Sequence, residues 1–221
     1  MHPPLPKTWP KDGDGDIVWE VRRSGVPPET VEKMRLGTWD AFREGCQESQ
    51  GLEEALEAVG AMIRGQFDFT CLTLAGTPGS GKTHLALAVA WEWIEAGAYV
   101  IYFRAQVLMD RLRGTFDLTP QIARALHERT LEEEIDLLES CHLLIIDDLG
   151  AEKATEWTDA VLDRIIDTRW LKELPLIVTT NVKSSGLPPR IVDRLKDRRI
   201  GRVITMVASS YRSGEFWHKT P

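Results

Sequence analysis

The chain has little asparagine and little cysteine. Among its 221 residues stand a single asparagine, Asn181, and three cysteines, Cys46, Cys71 and Cys141. An odd number of cysteines with no CxxC pair excludes a disulfide framework and a zinc knuckle as the basis of the fold. Cys71 and Cys141 sit in or beside apolar, strand-like runs, which predicts buried thiols in a reducing, cytoplasmic setting. No apolar run approaches the roughly 18 residues that a membrane span needs. The most apolar stretch, Leu143-Leu-Ile-Ile146, is far too short. The opening MHPPLPKTWPKDGDGD lacks the apolar core of a secretory signal. An excess of basic charge is also missing. Lys and Arg number 27 against 34 Asp and Glu, a formal net charge of −7, which argues against a histone-like nucleic-acid binder. The charge is uneven, however. Residues 186–221 hold eight Lys or Arg and three Asp or Glu, and the remainder holds 19 against 31. Contact with DNA or phosphate must therefore be local.

What is present suffices for one buried domain. Hydrophobic residues make up 43% of the chain, which excludes a disordered polymer. Residues 1–30 carry Pro3, Pro4, Pro6, Pro10, Pro27 and Pro28 and read as an extended arm, with a single domain over 31–221. Within the arm, Asp12, Asp14 and Asp16 open like a calcium loop. The turn glycine is replaced by Ile17 and the twelfth-position glutamate by Arg23, so a solvated acidic turn is expected.

From residue 51 the patterning becomes regular. Leu52, Ala55, Leu56, Val59, Met62 and Ile63 recur at helical spacing. Strands are predicted over 69–75, 99–103, 143–146, 176–180 and 203–207. Helices are predicted over 85–96, 105–112, 188–196, and from Thr119-Pro120 to about Ser140. Another helix carries Trp157, Val161, Leu162, Ile165, Ile166 and Trp170 on one face, which predicts both tryptophans as core. Trp91 and Trp93 fall on different sides of their helix, so full burial of at most one is expected. Glu132, Glu133 and Glu134 read as a solvated face, and His127-Glu128 lacks the second histidine of a zinc-protease motif. Trp39 and Trp217 read as exposed. Strands alternating with helices imply an α/β domain with a five-stranded parallel sheet covered on both faces.

The chemistry-bearing motif is Gly76-Thr77-Pro78-Gly79-Ser80-Gly81-Lys82-Thr83, the P-loop spacing G-x4-G-K-[ST], placed after a strand and before a helix. Glycines let backbone N–H groups close around phosphate oxygens, and the helix N-terminus adds positive potential. Lys82 can reach the β- and γ-phosphates, Thr83 can ligate Mg²⁺, and His84 continues the nucleotide-binding stretch. Asp147 ends the apolar Leu143–Ile146 run at a strand tip, where parallel sheets bind ligands, and is the candidate metal-side carboxylate. Asp148 follows as the candidate for polarising the attacking water. It is one methylene shorter than the glutamate common in P-loop ATPases, which suits slow turnover. Asn181 stands after the Ile177–Thr180 strand, where a neutral amide can orient the water. The expected cofactors are ATP and Mg²⁺.

Together, Gly76–Thr83, Asp147-Asp148-Leu149-Gly150, Glu156-Trp157, Thr179-Thr180-Asn181, Asp193-Arg194-Leu195 and Ser210-Tyr211-Arg212 carry a resemblance. Over about Gly25 to Arg212 the chain resembles the AAA+ (ASCE) P-loop ATPase domain of DnaC-type replicative helicase loaders and of IstB-type transposition helpers. The resemblance implies that Asn181 is sensor 1, that Arg194 is an arginine finger acting on a neighbouring subunit, with Arg198 the other possibility, and that Arg212 contacts nucleotide as sensor 2. It implies single-stranded DNA contacts by Arg104, Arg111, Arg113 and Phe116. It further implies an ATP-dependent homo-oligomer that serves a DnaB-type replicative helicase or, alternatively, a transposase. A non-hydrolysing ATP-gated adaptor is the rival from another class, and a P-loop small-molecule kinase a third reading. Two departures stand out. Only about 25 residues precede the matching region, where family loaders carry a helicase-gripping domain. About 14 residues follow the fifth strand, too few for a C-terminal helical lid, so a neighbour is expected to complete the site.

Overall fold

The computed structural model describes residues 25–27, 51–126 and 128–207. The expectations for most of the proline-rich arm, for the Asp12, Asp14 and Asp16 turn, and for Trp39, Cys46, His127, Arg212 and Trp217 lie outside the described residues. Five strands form one sheet in the order β2-β3-β4-β1-β5: β1 (Cys71–Gly76), β2 (Val100–Arg104), β3 (Leu143–Asp147), β4 (Leu176–Thr180) and β5 (Gly201–Met206). Every neighbouring pair is parallel. The predicted strand set and the α/β class are therefore observed, and the stretch after 207, on which the lid expectation rests, lies outside the described residues.

Period-two alternation divides the strand residues between two cores. Leu72, Leu74, Val100, Tyr102, Leu143, Ile145, Ile177, Ile204 and Met206 pack with α1 (Leu52–Ile63) and α2 (Lys82–Glu95). On the other face, Ile101, Leu144, Ile146, Leu176 and Val178 pack with α3 (Ala105–Gly114), α5 (Leu131–Ser140), α6 (Glu156–Leu171) and α7 (Pro189–Leu195). β3 is buried along its whole length, as its continuous apolar run requires. Each fully buried Leu or Ile contributes roughly 1.5–3 kcal/mol.

Four expectations are corrected. Trp91 and Trp93 are both buried, because α2 lies on the sheet and is itself covered by α1. The Trp93 indole donates to the Met62 carbonyl at 3.1 Å. The helical stretch expected from 119 to 140 is two helices, α4 (Pro120–Leu126) and α5. Thr130 opens the second with a reciprocal capping box to Glu133, which satisfies two N-terminal donors and restarts the helix. The acidic run of α5 is not a solvated face throughout. Glu134 is buried and accepts from Arg111 at 2.8 Å and Arg129 at 3.3 Å, and Glu132 accepts from Arg164 at 2.6 Å. Trp157 and Trp170 are only half-buried, at the two ends of the α6 stripe whose centre is Val161, Leu162, Ile165 and Ile166. Cys71 and Cys141 are buried as expected, and burial pushes the Cys71 thiol up to about 12.

Arg169 of α6 is fully buried, a position the apolar pattern does not forecast. Its guanidinium donates to the carbonyls of Leu138 (2.8 Å), Cys141 (3.0 Å) and Pro175 (2.5 Å). It thus ties the α5–β3 turn to the entry of β4. Arg169→Met removes all three bonds. The Pro175 oxygen keeps the Leu144 N–H at 3.2 Å and the Leu138 oxygen only a 3.7 Å thiol contact. Each buried carbonyl left short of a partner costs about 1–3 kcal/mol where water cannot enter. The expected result is a loss of roughly 3 kcal/mol, read as a lower urea midpoint at unchanged slope. A midpoint equal to that of the parent chain contradicts the tie.

Candidate nucleotide site

The parallel sheet brings the C-terminal ends of β1, β3 and β4 to one edge, with β4 between the other two. The register opposes Ala75 to Thr180 and Ile146 to Val178, so the segments beginning at Gly76, Asp147 and Asn181 converge. This order explains why Asn181, distant in sequence from both motifs, stands between them.

After β1 the chain turns through the glycine-rich loop into α2. Gly76 has φ 139°, and a Cβ there would fall 1.8 Å from the Met206 carbonyl oxygen. Gly81 caps α2 in a left-handed conformation at φ 93°. No L-residue with a side chain meets both demands without strain. Lys82, the first residue of the helix, is buried. Its ammonium donates to the carbonyls of Gly76 (3.1 Å) and Thr77 (2.7 Å) and to Ser80 Oγ (3.3 Å), within the loop it would share with a polyphosphate. Burial draws the Lys82 pKa down, and the nearby Asp148 and Asp147 charges oppose that shift. His84 is half-buried in the first turn of α2.

Asp147 is 1% exposed and accepts three hydroxyl hydrogen bonds. Thr83 Oγ1 donates to Oδ1 at 2.8 Å, Thr179 Oγ1 to the same oxygen at 2.6 Å, and Tyr102 OH to Oδ2 at 2.8 Å. Burial, then the Asp147 charge, push the Tyr102 phenol above its ordinary pKa, so it keeps its proton and remains a donor. The Thr83 hydroxyl and the Asp147 carboxylate are hard oxygen donors side by side, the set that Mg²⁺ takes together with phosphate and water oxygens. The two residues fit that ion. Among the described residues no group of three or more His, Cys, Asp or Glu forms a metal cage.

Asp148 differs from its neighbour in every respect. Its backbone is left-handed at φ 56°, which swings its carboxylate out of the strand alternation. Its N–H donates to Thr179 Oγ1 at 2.9 Å, and its Oδ1 accepts from Asn181 Nδ2 at 2.8 Å. The structure therefore brings Lys82, Thr83, Asp147, Asp148 and Asn181 together. Thr180 secures the same edge by donating to the Leu149 carbonyl at 2.6 Å.

Other candidates lie elsewhere. Arg104 ends β2 opposite Asp147, beside Tyr102 and in the field of both aspartates. Arg111 and Arg113 are in the last turn of α3. Arg111 pairs with Glu134 and lies 5.5 Å above the Phe103 ring centroid. Arg113 pairs with Asp110 and lies over Trp157, on which the exposed Phe116 also packs edge-on at 4.8 Å. Arg194, near the end of α7, is at the opposite edge of the sheet from the P-loop, beside Thr70 and Cys71 where β1 begins. It does not belong to its own chain's nucleotide site. Arg198 is exposed.

The family described as IstB-like ATP binding protein matches residues 67–185, more than half of the chain and the stretch containing the site. The chain belongs to this family. The replicative helicase loader DnaC of Escherichia coli strain K12 is 26% identical to it over 197 residues, covering 86% of this chain and 74% of DnaC. A crystal structure of DnaI aligns with a TM-score of 0.61 at 21% identity, covering 82% of this chain and 95% of that one. A crystal structure of the DnaC helicase loader aligns at 0.56 and 21% identity, covering 71% and 90%. The fold of this IstB-like chain is that of the P-loop AAA+ proteins. No described helix is long and apolar enough to cross a membrane.

Two residues that bond the aspartates were given no role by the sequence reading: Tyr102, and Thr179, which entered only as part of the Thr179-Thr180-Asn181 block. Both alternate correctly within their strands and look like sheet filler. The signal that could have found them is a polar residue at the C-terminal end of a buried strand, next to a strand ending in aspartate. Thr179 serves both aspartates, as donor to Asp147 and acceptor from the Asp148 backbone. Thr179→Val is expected to slow single-turnover ATP cleavage at least tenfold while ATP affinity measured in EDTA stays within about threefold. Unchanged cleavage with weakened binding in EDTA contradicts this placement.

Proposed function

We propose that this protein is an AAA+ ATPase that hydrolyses ATP to ADP and phosphate, and that it loads or assists a replicative helicase through nucleotide-dependent assembly. The observation that carries the hydrolytic reading is the division between two adjacent aspartates. Asp147 is buried under three hydroxyls beside the P-loop threonine, whereas Asp148 is turned out and held by the Asn181 amide. A carboxylate on the metal side and a second on the water side are what in-line attack on a γ-phosphate requires. The helicase partner is supported by the likeness to replicative helicase loaders and by its extent along both chains.

In this reading the P-loop amides and Lys82 hold the phosphates, and Thr83 with Asp147 would hold Mg²⁺, whose charge offsets that developing on the phosphate oxygens. Asp148 accepts a hydrogen bond from the attacking water. Asn181 fixes the Asp148 carboxylate and adds a donor without adding charge. Arg194 contributes its guanidinium to the nucleotide of a neighbouring subunit, a contribution worth ~10³ to 10⁵ in rate in P-loop enzymes. Single-stranded DNA is the second partner, with Arg113, Phe116 and the Trp157 ring as an aromatic and cationic surface on which bases can stack.

Asn181→Ala tests the water-side assignment. The expected outcome is a fall in kcat of about 100-fold with ATP Kd changed less than threefold. A protein that binds ATP yet shows no turnover with or without single-stranded DNA is an adaptor, and the hydrolytic reading then fails. Mixing Lys82→Ala with Arg194→Ala subunits tests the trans arginine. Each is expected to be inactive alone, and the mixture is expected to regain turnover. Sedimentation with ATP, ADP and no nucleotide is expected to show assembly with ATP; a monomer throughout contradicts the loader reading.

A further inference from the structure

We propose that Asp167 and Trp170 are positioning residues that hold the Arg194 guanidinium ready for a neighbouring subunit's γ-phosphate. The inference rests on the reading of Arg194 as a group acting in trans and assigns its support. Arg194 Nε donates to Asp167 Oδ1 at 2.6 Å, a short charge-assisted bond. The guanidinium lies 4.3 Å from the Trp170 ring centroid, within the cation–π range. One contact fixes the edge of the planar group and the other fixes its plane.

Trp170 is itself anchored. Its indole N–H donates to Asp197 Oδ2 at 3.0 Å. Asp197 in turn accepts from Arg199 Nη2 at 2.7 Å, and Arg199 lies 5.3 Å from the Trp170 ring centroid. The chain of support runs from the loop after α7 through a half-buried ring on α6 to Arg194. It leaves the outer end of the guanidinium available. Nη1 makes only a 3.4 Å contact with Asp193, and Nη2 has no hydrogen-bond partner among the described residues. The Arg194 side chain is 34% exposed. An ion pair meant only to brace α7 against α6 would gain by engaging the terminal nitrogens as well. Here Nε is fixed and the two nitrogens that match a phosphate geometry are left over.

Nearby arginines lack this support. Arg190 has an 85% exposed side chain and one bond to Asp163, and Arg198 is exposed. A free arginine must lose its rotamer freedom when it meets phosphate, whereas one already held in place loses little. Asp167 and Trp170 thus favour Arg194 over Arg198 for contact with the neighbour.

Subunit mixing tests this directly. Lys82→Ala subunits donate the arginine and Arg194→Ala subunits hydrolyse. Adding Asp167→Ala to the donor is expected to lower the rescued turnover at least tenfold, with Asp167→Asn giving a smaller loss. Trp170→Leu in the donor should act in the same direction. Carried by the Arg194→Ala subunit instead, Asp167→Ala has no arginine to misplace, and the mixture keeps its rescued rate within about twofold. A merely structural role would lower the rate from either subunit and would overturn the proposal. Full rescue by the Asp167→Ala donor would overturn it too. So would a faster rate, which would make the pair a latch. If the unmodified pair of mutants does not rescue, the trans role of Arg194 fails and the positioning role falls with it.

Discussion

A carboxylate buried at the tip of a strand is the constraint on which the site depends. Asp147 has lost nearly all contact with water, and an ionised group in that position is tolerated only when fully hydrogen-bonded. Its three hydroxyl donors come from three elements: Tyr102 from β2, Thr179 from β4 and Thr83 from α2. Satisfying one charge therefore fixes the position of two neighbouring strands and of the P-loop helix. The interaction also keeps its own donors in the right state, since burial and the negative charge hold the Tyr102 proton in place.

The same constraint explains how adjacent aspartates come to differ. In a regular strand, successive side chains point to opposite faces, so Asp148 would have pointed into the other core. The left-handed backbone at Asp148 breaks the alternation at the moment the strand ends. Thr179 makes the break tolerable by accepting the Asp148 N–H, which would otherwise lose its ladder partner. Asn181 then finds the displaced carboxylate within reach because β4 is inserted between β1 and β3. Backbone strain, strand order and side-chain chemistry act on the same few ångströms.

Much of this was legible in the sequence. The P-loop announced itself through glycines whose left-handed or crowded positions no other residue fills, and the apolar run before Asp147 announced a buried strand tip. Strand β4 was read at its observed boundaries because Leu176–Thr180 is short, apolar and β-branched. The roles of Tyr102, Thr179 and Arg169 were not legible, and for one physical reason. Their roles depend on which strand lies beside which, and side-by-side order is set by long-range packing rather than by local pattern. Trp91 and Trp93 failed differently: helical periodicity finds the face toward the sheet, but not the second layer formed by α1. Glu134 was misread because a charged run looks solvated until Arg111 from α3 and Arg129 from the segment before α5 are seen to converge on it.

The basic C-terminal stretch gives the last step. From composition alone, Arg190, Arg194, Arg199 and Arg202 suggest a surface that attracts phosphate. In the fold each faces acid: Arg190 Asp163, Arg194 Asp167, Arg199 Asp197, and Arg202 lies within 4 Å of Glu54 and Glu57. Long-range attraction is thereby largely cancelled, and salt screens what remains. An arginine in such a setting works by being correctly placed rather than by drawing an anion from a distance. In the proposed assembly, its contribution would rise steeply as a neighbouring nucleotide approaches contact range and be small otherwise. Under the proposed trans role, turnover would depend on the geometry of assembly more than on the concentration of ATP, in keeping with the proposed nucleotide-dependent assembly.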